Sequence, residues 1–148
     1  MTVKKADMTG VVLVTHGRHG AEMLKEAEAI VGPLLNTRVV TVTATDPPEV
    51  TNGKLQTARY EVESGLGVLF LVDLHGSTPS NLAMGFMDGS HEVEVLCGLN
   101  MAMLIKLATC VRKNGPRELA ELLKQTGRRS IRLGSEITGR LNLEDFEG

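Results

Sequence analysis

The chain contains no tryptophan, and Tyr60, Phe70, Phe86 and Phe146 are its only aromatic residues. A surface that stacks nucleic-acid bases needs several exposed rings, and this sequence has no material for one. Nor is there an excess of charge of either sign. Sixteen Lys and Arg stand against eighteen Asp and Glu, for a net charge of -2 and a pI of about 6.1. That balance offers no attraction to a phosphate backbone, so nucleic acid is not an expected partner. Only two cysteines occur, Cys97 and Cys110, both in apolar stretches and without metal-ligand spacing. They read as two buried thiols in a reducing compartment. No apolar run reaches the length of a membrane span. Residues 1–10 are polar, with no signal-peptide core ahead of the first strand. A cytoplasmic location is expected. Both common nucleotide-phosphate loops are also missing: there is no Gly-x-x-x-x-Gly-Lys-Ser/Thr and no Gly-x-Gly-x-x-Gly.

What remains is an ordinary globular composition. Apolar residues make up 42% and charged residues 23% of 148 residues, enough for one domain to bury its own core. The expected unit is a single domain over residues 1–148, with its core in 10–133 and a tail from 134. Strands are expected at 10–15, 38–43, 67–72 and 93–97, the first and third being solid apolar runs suited to burial on both faces. Helices are expected at 21–31, 49–64, 79–87, 101–113 and 116–127. Thr78 is placed to cap the third, and Pro79 and Pro116 sit at first helical positions. Residues 130–133 read as a short fifth strand, and the tail 134–148 as partly ordered or docked on a neighbour.

Strands alternating with helices imply an α/β fold, doubly wound, with a mostly parallel sheet covered on both faces. Right-handed crossovers make 2-1-3-4 the expected order of the first four strands. The topological switch then falls between strands one and three, and ligands bind outside the carboxyl ends of strands at such a point. His16 ends strand one, while Asp73 and His75 follow strand three. The sequence thus gathers His16, Asp73, His75, Ser77 and Thr78 at one crevice.

An imidazole is nucleophilic at one nitrogen only if the other keeps its proton. Asp73 is suited to accept that proton's hydrogen bond and so fix the His16 tautomer. The hydroxyls of Ser77 and Thr78 are donors for an oxyanion, as are the amides of residues 17–20 and those at the start of the third helix. A nucleophilic histidine in a cradle for a small anion fits phosphoryl transfer, which depends on positioning and charge stabilisation. With no nucleotide loop, the phosphoryl group must come from another phosphorylated species. His19 reads instead as a solvated helix-start residue, and His91 as a surface turn.

Four blocks of sequence resemble the mannose-type (mannose, fructose, sorbose) enzyme IIA domains of the sugar phosphotransferase system. Val12-Leu13-Val14-Thr15-His16-Gly17 precedes an amphipathic helix. An apolar strand ends in Asp73-Leu74-His75-Gly76-Ser77-Thr78-Pro79-Ser80-Asn81. Cys97-Gly98-Leu99-Asn100-Met101-Ala102-Met103-Leu104 is the third block, and Thr126-Gly127-Arg128 the fourth. Ser77, His75 and Ala102 replace the family's second Gly, a commonly bulky residue and a Pro.

The resemblance implies that His16 is phosphorylated on Nε2 by a phosphorylated HPr-like carrier and passes the group to an enzyme IIB protein or domain. Asp73 would support that histidine and Thr78 would lie by the phosphoryl group. Gly17, His75, Gly76 and Ser77 would be phosphate-binding or partner-facing. It further implies a homodimer in which the last strand is exchanged, and contact with a membrane only through a permease complex. No cofactor is called for. Three other readings stay open on sequence alone. One is a regulatory phosphocarrier without sugar transport. Another is the phosphotransfer subunit of dihydroxyacetone kinase. The third is a metal-binding domain using His16, His19, His75 and Asp73.

Overall fold

The structure, a computed structural model, describes residues 6–139. The chain begins with β1 (Gly10–His16), α1 (His19–Val31), β2 (Thr37–Val42) and α2 (Pro48–Val62). It continues through β3 (Val68–Val72), α3 (Thr78–Met84), β4 (Val93–Cys97), α4 (Met101–Thr109), α5 (Pro116–Arg129) and α6 (Gly134–Thr138). The four strands are parallel, in the order β2-β1-β3-β4 that the alternating pattern implies.

Continuous apolar strands lie at the centre because both faces of the sheet are covered. Val11, Leu13, Leu69 and Leu71 point to one side, where they meet Ala27 of α1, Leu104 and Leu107 of α4 and Leu119 and Leu123 of α5. Val12, Val14, Phe70 and Val72 point to the other, against Leu55 and Val62 of α2 and Ala83 of α3. Alternation within β1 and β3 therefore divides one apolar run between two cores. All eight of these strand residues are fully buried. The register pairs Leu13 with Leu71 and Val14 with Val72, and the Asp73 amide then donates to the Val14 carbonyl at 3.1 Å. This step in the ladder brings the residue after β3 beside the end of β1.

Four expectations need correction. The third helix is capped by Ser77, not Thr78: Ser77 is extended, and its Oγ accepts from the Ser80 amide at 3.3 Å. Thr78 becomes the first helical residue.

The fourth helix stops at Thr109 rather than 113, because Arg112 turns inward. Its guanidinium is buried and donates to the carbonyls of Thr9, Leu35 and Asn36 at the amino end of the sheet. Burial lowers its pKa to about 10, which leaves it charged at neutral pH.

Residues 130–133 form no strand in the single chain. Ser130 closes α5, and Ile131 and Leu133 are exposed rather than built into the sheet. Within the tail, α6 occupies the first residues; residues 140–148 lie outside the described region. The two thiols, finally, are half-buried rather than buried.

Candidate functional site

β1 ends on His16, and Gly17 reverses the chain with φ +62°, a conformation that glycine adopts without strain. The turn is tight enough for α1 to begin at His19. Gly20 lets the helix sit directly on Thr15, since a Cβ there would run into the Thr15 side chain. Among the described residues no side chain caps this helix start, so its first amides lack a side-chain acceptor.

Asp73 organises the end of the sheet. One carboxylate oxygen, Oδ2, accepts from the His16 backbone amide at 2.9 Å. The His16 ring nitrogen Nδ1 lies 3.1 Å from both Oδ1 and Oδ2. Burial raises the Asp73 pKa. The hydrogen bonds from the His16 amide and ring, with the charge of the His16 and His19 rings, outweigh it and hold the carboxyl below its ordinary value. Asp73 is therefore an ionised acceptor at neutral pH, and an ionised carboxylate has no proton to donate. The proton of neutral His16 then resides on Nδ1, which leaves the Nε2 lone pair free. The His16 side chain is 42% exposed, so that nitrogen is open to a large reactant.

The expected residues divide into two groups. His16 and Asp73 meet directly. The Ser77 hydroxyl is already engaged: it donates to the Leu74 carbonyl at 2.8 Å and accepts the capping bond. Thr78 is exposed, and its hydroxyl makes no hydrogen bond among the described residues. His75 and Gly76 form an exposed turn, with Gly76 at φ +81°. His75 does not join the His16–Asp73 pair.

Sequence reasoning missed His19. Its Nε2 lies 2.9 Å from Asp73 Oδ2, so it is a direct partner of the carboxylate rather than a solvated bystander. The available signal was the His16-x-x-His19 spacing, which carries the chain from strand end into the first helical turn.

Among the described residues no group of three or more His, Cys, Asp or Glu is arranged to hold a metal ion. A metal set of His16, His19, His75 and Asp73 therefore has no geometric support. A groove of about 610 Å³ between β2 and α2 is lined by Arg38, Thr41, Lys54 and Glu61 and contains none of these residues. Cys97, paired in register with Val72, has its thiol pKa raised by burial and by the Asp73 charge, so it stays protonated. No helix among the described residues is long and apolar enough to cross a membrane.

Comparison with known proteins agrees with this arrangement. The family model described as "PTS system fructose IIA component" (EIIA-man) matches residues 10–124. The mannose-specific EIIAB component of the phosphotransferase system in Escherichia coli K12 is 30% identical over 124 residues, covering 82% of this chain. The chain spans only 38% of that relative's length. The fructose-specific EIIA component of Bacillus subtilis 168 is 24% identical over 129 residues, covering 87% of this chain and 88% of that protein. Among solved structures, the mannose/sorbose-specific IIA subunit from Enterococcus faecalis superposes with a TM-score of 0.76 at 35% identity. That match covers 85% of this chain and 94% of the other. The chain belongs to the mannose/fructose/sorbose family of phosphotransferase-system enzyme IIA components.

Proposed function

We propose that this chain carries a phosphoryl group on Nε2 of His16, taking it from an HPr-like phosphohistidine and passing it to an enzyme IIB protein or domain. The observation that carries the reading is the Asp73 carboxylate on His16 Nδ1, at 3.1 Å from both oxygens. In the uptake step the Nε2 lone pair attacks phosphorus. The donor's P–N bond breaks, and its electron pair returns to the donor imidazole. The Nδ1 proton stays on His16, and Asp73 offsets the positive charge that the ring acquires. Reversal of the same geometry against a IIB acceptor releases the group.

Other features fit a protein donor and acceptor. The nucleophile is exposed rather than enclosed, and Leu74 and His75 stand exposed beside it. The exposed Thr78 hydroxyl and the amides around Gly17 and Gly76 are donors for the phosphoryl oxygens. The expected setting is the cytoplasm, with membrane contact only through a permease complex. Mixing the phosphorylated protein with a mannose-type IIB domain tests the assignment. The phosphoryl group should move to the IIB domain, and a group that stays on this protein would contradict a carrier role.

A second copy of the chain is the expected partner of the segment after α5. Ile131, Leu133 and Ile137 are exposed there, at 81%, 54% and 64%, and β4 has one unpaired edge. An exposed edge strand and an exposed apolar segment each avoid water by pairing. Sedimentation equilibrium should give a dimer that dissociates when Ile131 and Leu133 are changed to Asp; a wild-type monomer would sink the exchanged-strand arrangement.

A further inference from the structure

Four loops surround the carboxyl end of the sheet: residues 17–18, 43–47, 73–77 and 98–100. Arg18 is the only Lys or Arg in any of them. It is exposed, and among the described residues its side chain makes no hydrogen bond or ion pair, not even with Glu22 one turn further along α1. We infer that the Arg18 guanidinium binds the phosphoryl group on His16, and so sets how far the carrier is charged at equilibrium. This rests on His16 being the carrier.

Position and charge both favour this contact. Arg18 follows His16 by two residues, a backbone span of at most about 7 Å, and the turn at Gly17, with φ +62°, shortens it. A guanidinium is charged at any working pH, and its planar fork offers two parallel N–H donors to two phosphoryl oxygens. The phosphoryl group brings roughly two negative charges to Nε2 at neutral pH. The positive charge that the ring acquires lies toward Nδ1, where the Asp73 carboxylate meets it. A cation touching the phosphoryl oxygens is therefore nearer to the negative charge than to the positive one. Arg18 has no partner to give up first, so the contact costs only the ordering of its side chain. It makes and breaks no covalent bond.

The other cations on this side of the molecule are engaged or distant. Lys54, one turn into α2, is bound to Asp46 at 3.0 Å. Lys124 and Arg128 line a groove with Gly98 and Asn100 at the end of β4. In the order β2-β1-β3-β4 that places them beyond β4, two strand spacings or about 10 Å from the end of β1. The first turns of α3 and α4 carry no charged residue.

The test is the equilibrium constant for phosphoryl exchange with HPr, measured by intact mass for the full-length wild type, Arg18→Gln and Arg18→Lys. Gln keeps N–H donors without the charge, and Lys keeps the charge without the fork. Transfer onto this protein should be about fivefold less favourable for Arg18→Gln at about 0.05 M salt, with Arg18→Lys between the two. The deficit should shrink at about 1 M salt, where the Debye length falls to about 3 Å. The constant compares free proteins only, so a role for Arg18 in docking HPr would slow both directions alike and leave it unchanged. A wild-type constant in Arg18→Gln, with or without slower transfer, overturns the inference while leaving His16 the carrier. A deficit that salt does not reduce overturns it too. A wild-type protein that gains no phosphoryl mass overturns the carrier reading, and this inference with it.

Discussion

His16→Ala should receive no phosphoryl group from phosphorylated HPr, while its thermal midpoint stays within a few degrees of wild type. The two halves of this result have separate causes. Nε2 of His16 is the nucleophile whose other ring nitrogen is held by a carboxylate with its charge in place. His19 meets the same carboxylate through its Nε2, so it does not present the Nε2 acceptor that His16 does. Stability is spared because the His16 ring is 42% exposed and the Asp73 bonds to the backbone amide and to His19 survive. Exposed substitutions outside buried networks usually change stability by less than about 0.5 kcal/mol. Labelling that persists in the variant would move the site elsewhere, with His75 the next exposed imidazole.

Asp73→Asn should slow phosphoryl uptake by roughly 10²-fold without removing the acceptor. An amide has one oxygen to accept with and no charge to offset the ring's developing positive charge. It also adds N–H donors that favour the wrong His16 tautomer. The variant carries a second, independent signature. The folded Asp73 carboxyl lies below its ordinary value of 3.8. Its contribution to stability is therefore complete above that value and is lost as pH falls through the depressed folded one. Wild type should accordingly lose its stability advantage over Asp73→Asn as the solution is acidified below about pH 4. Uptake at the wild-type rate would make Asp73 a structural residue only, and a pH-independent stability difference would mean its charge is not what the fold uses.

The sheet was legible because β1 and β3 are written as unbroken apolar runs, and such runs are stable only with helices on both faces. Once strand order follows from right-handed crossovers, His16 and Asp73 must meet, and they do. The failures share a cause, which is that local sequence does not report which polar partner wins. Ser77 and Thr78 are both good caps, and the choice between them depends on the Leu74 carbonyl that Ser77 also reaches. Helical pattern alone carries α4 to 113, but Arg112 finds three carbonyls at the base of the sheet. His19 has the composition of a solvated helix start, and its role appears only when Gly20 lets α1 close on Thr15. Residues 130–133 have strand propensity but follow α5 without joining the sheet.

The most direct test of the central claim is the intact mass of the wild-type protein, measured at alkaline pH after incubation with phosphoenolpyruvate, enzyme I and HPr. The account predicts the gain of a single phosphoryl group that acid removes, with fragmentation placing it on His16. No gain in mass, or a group that survives acid or maps to another residue, would contradict it.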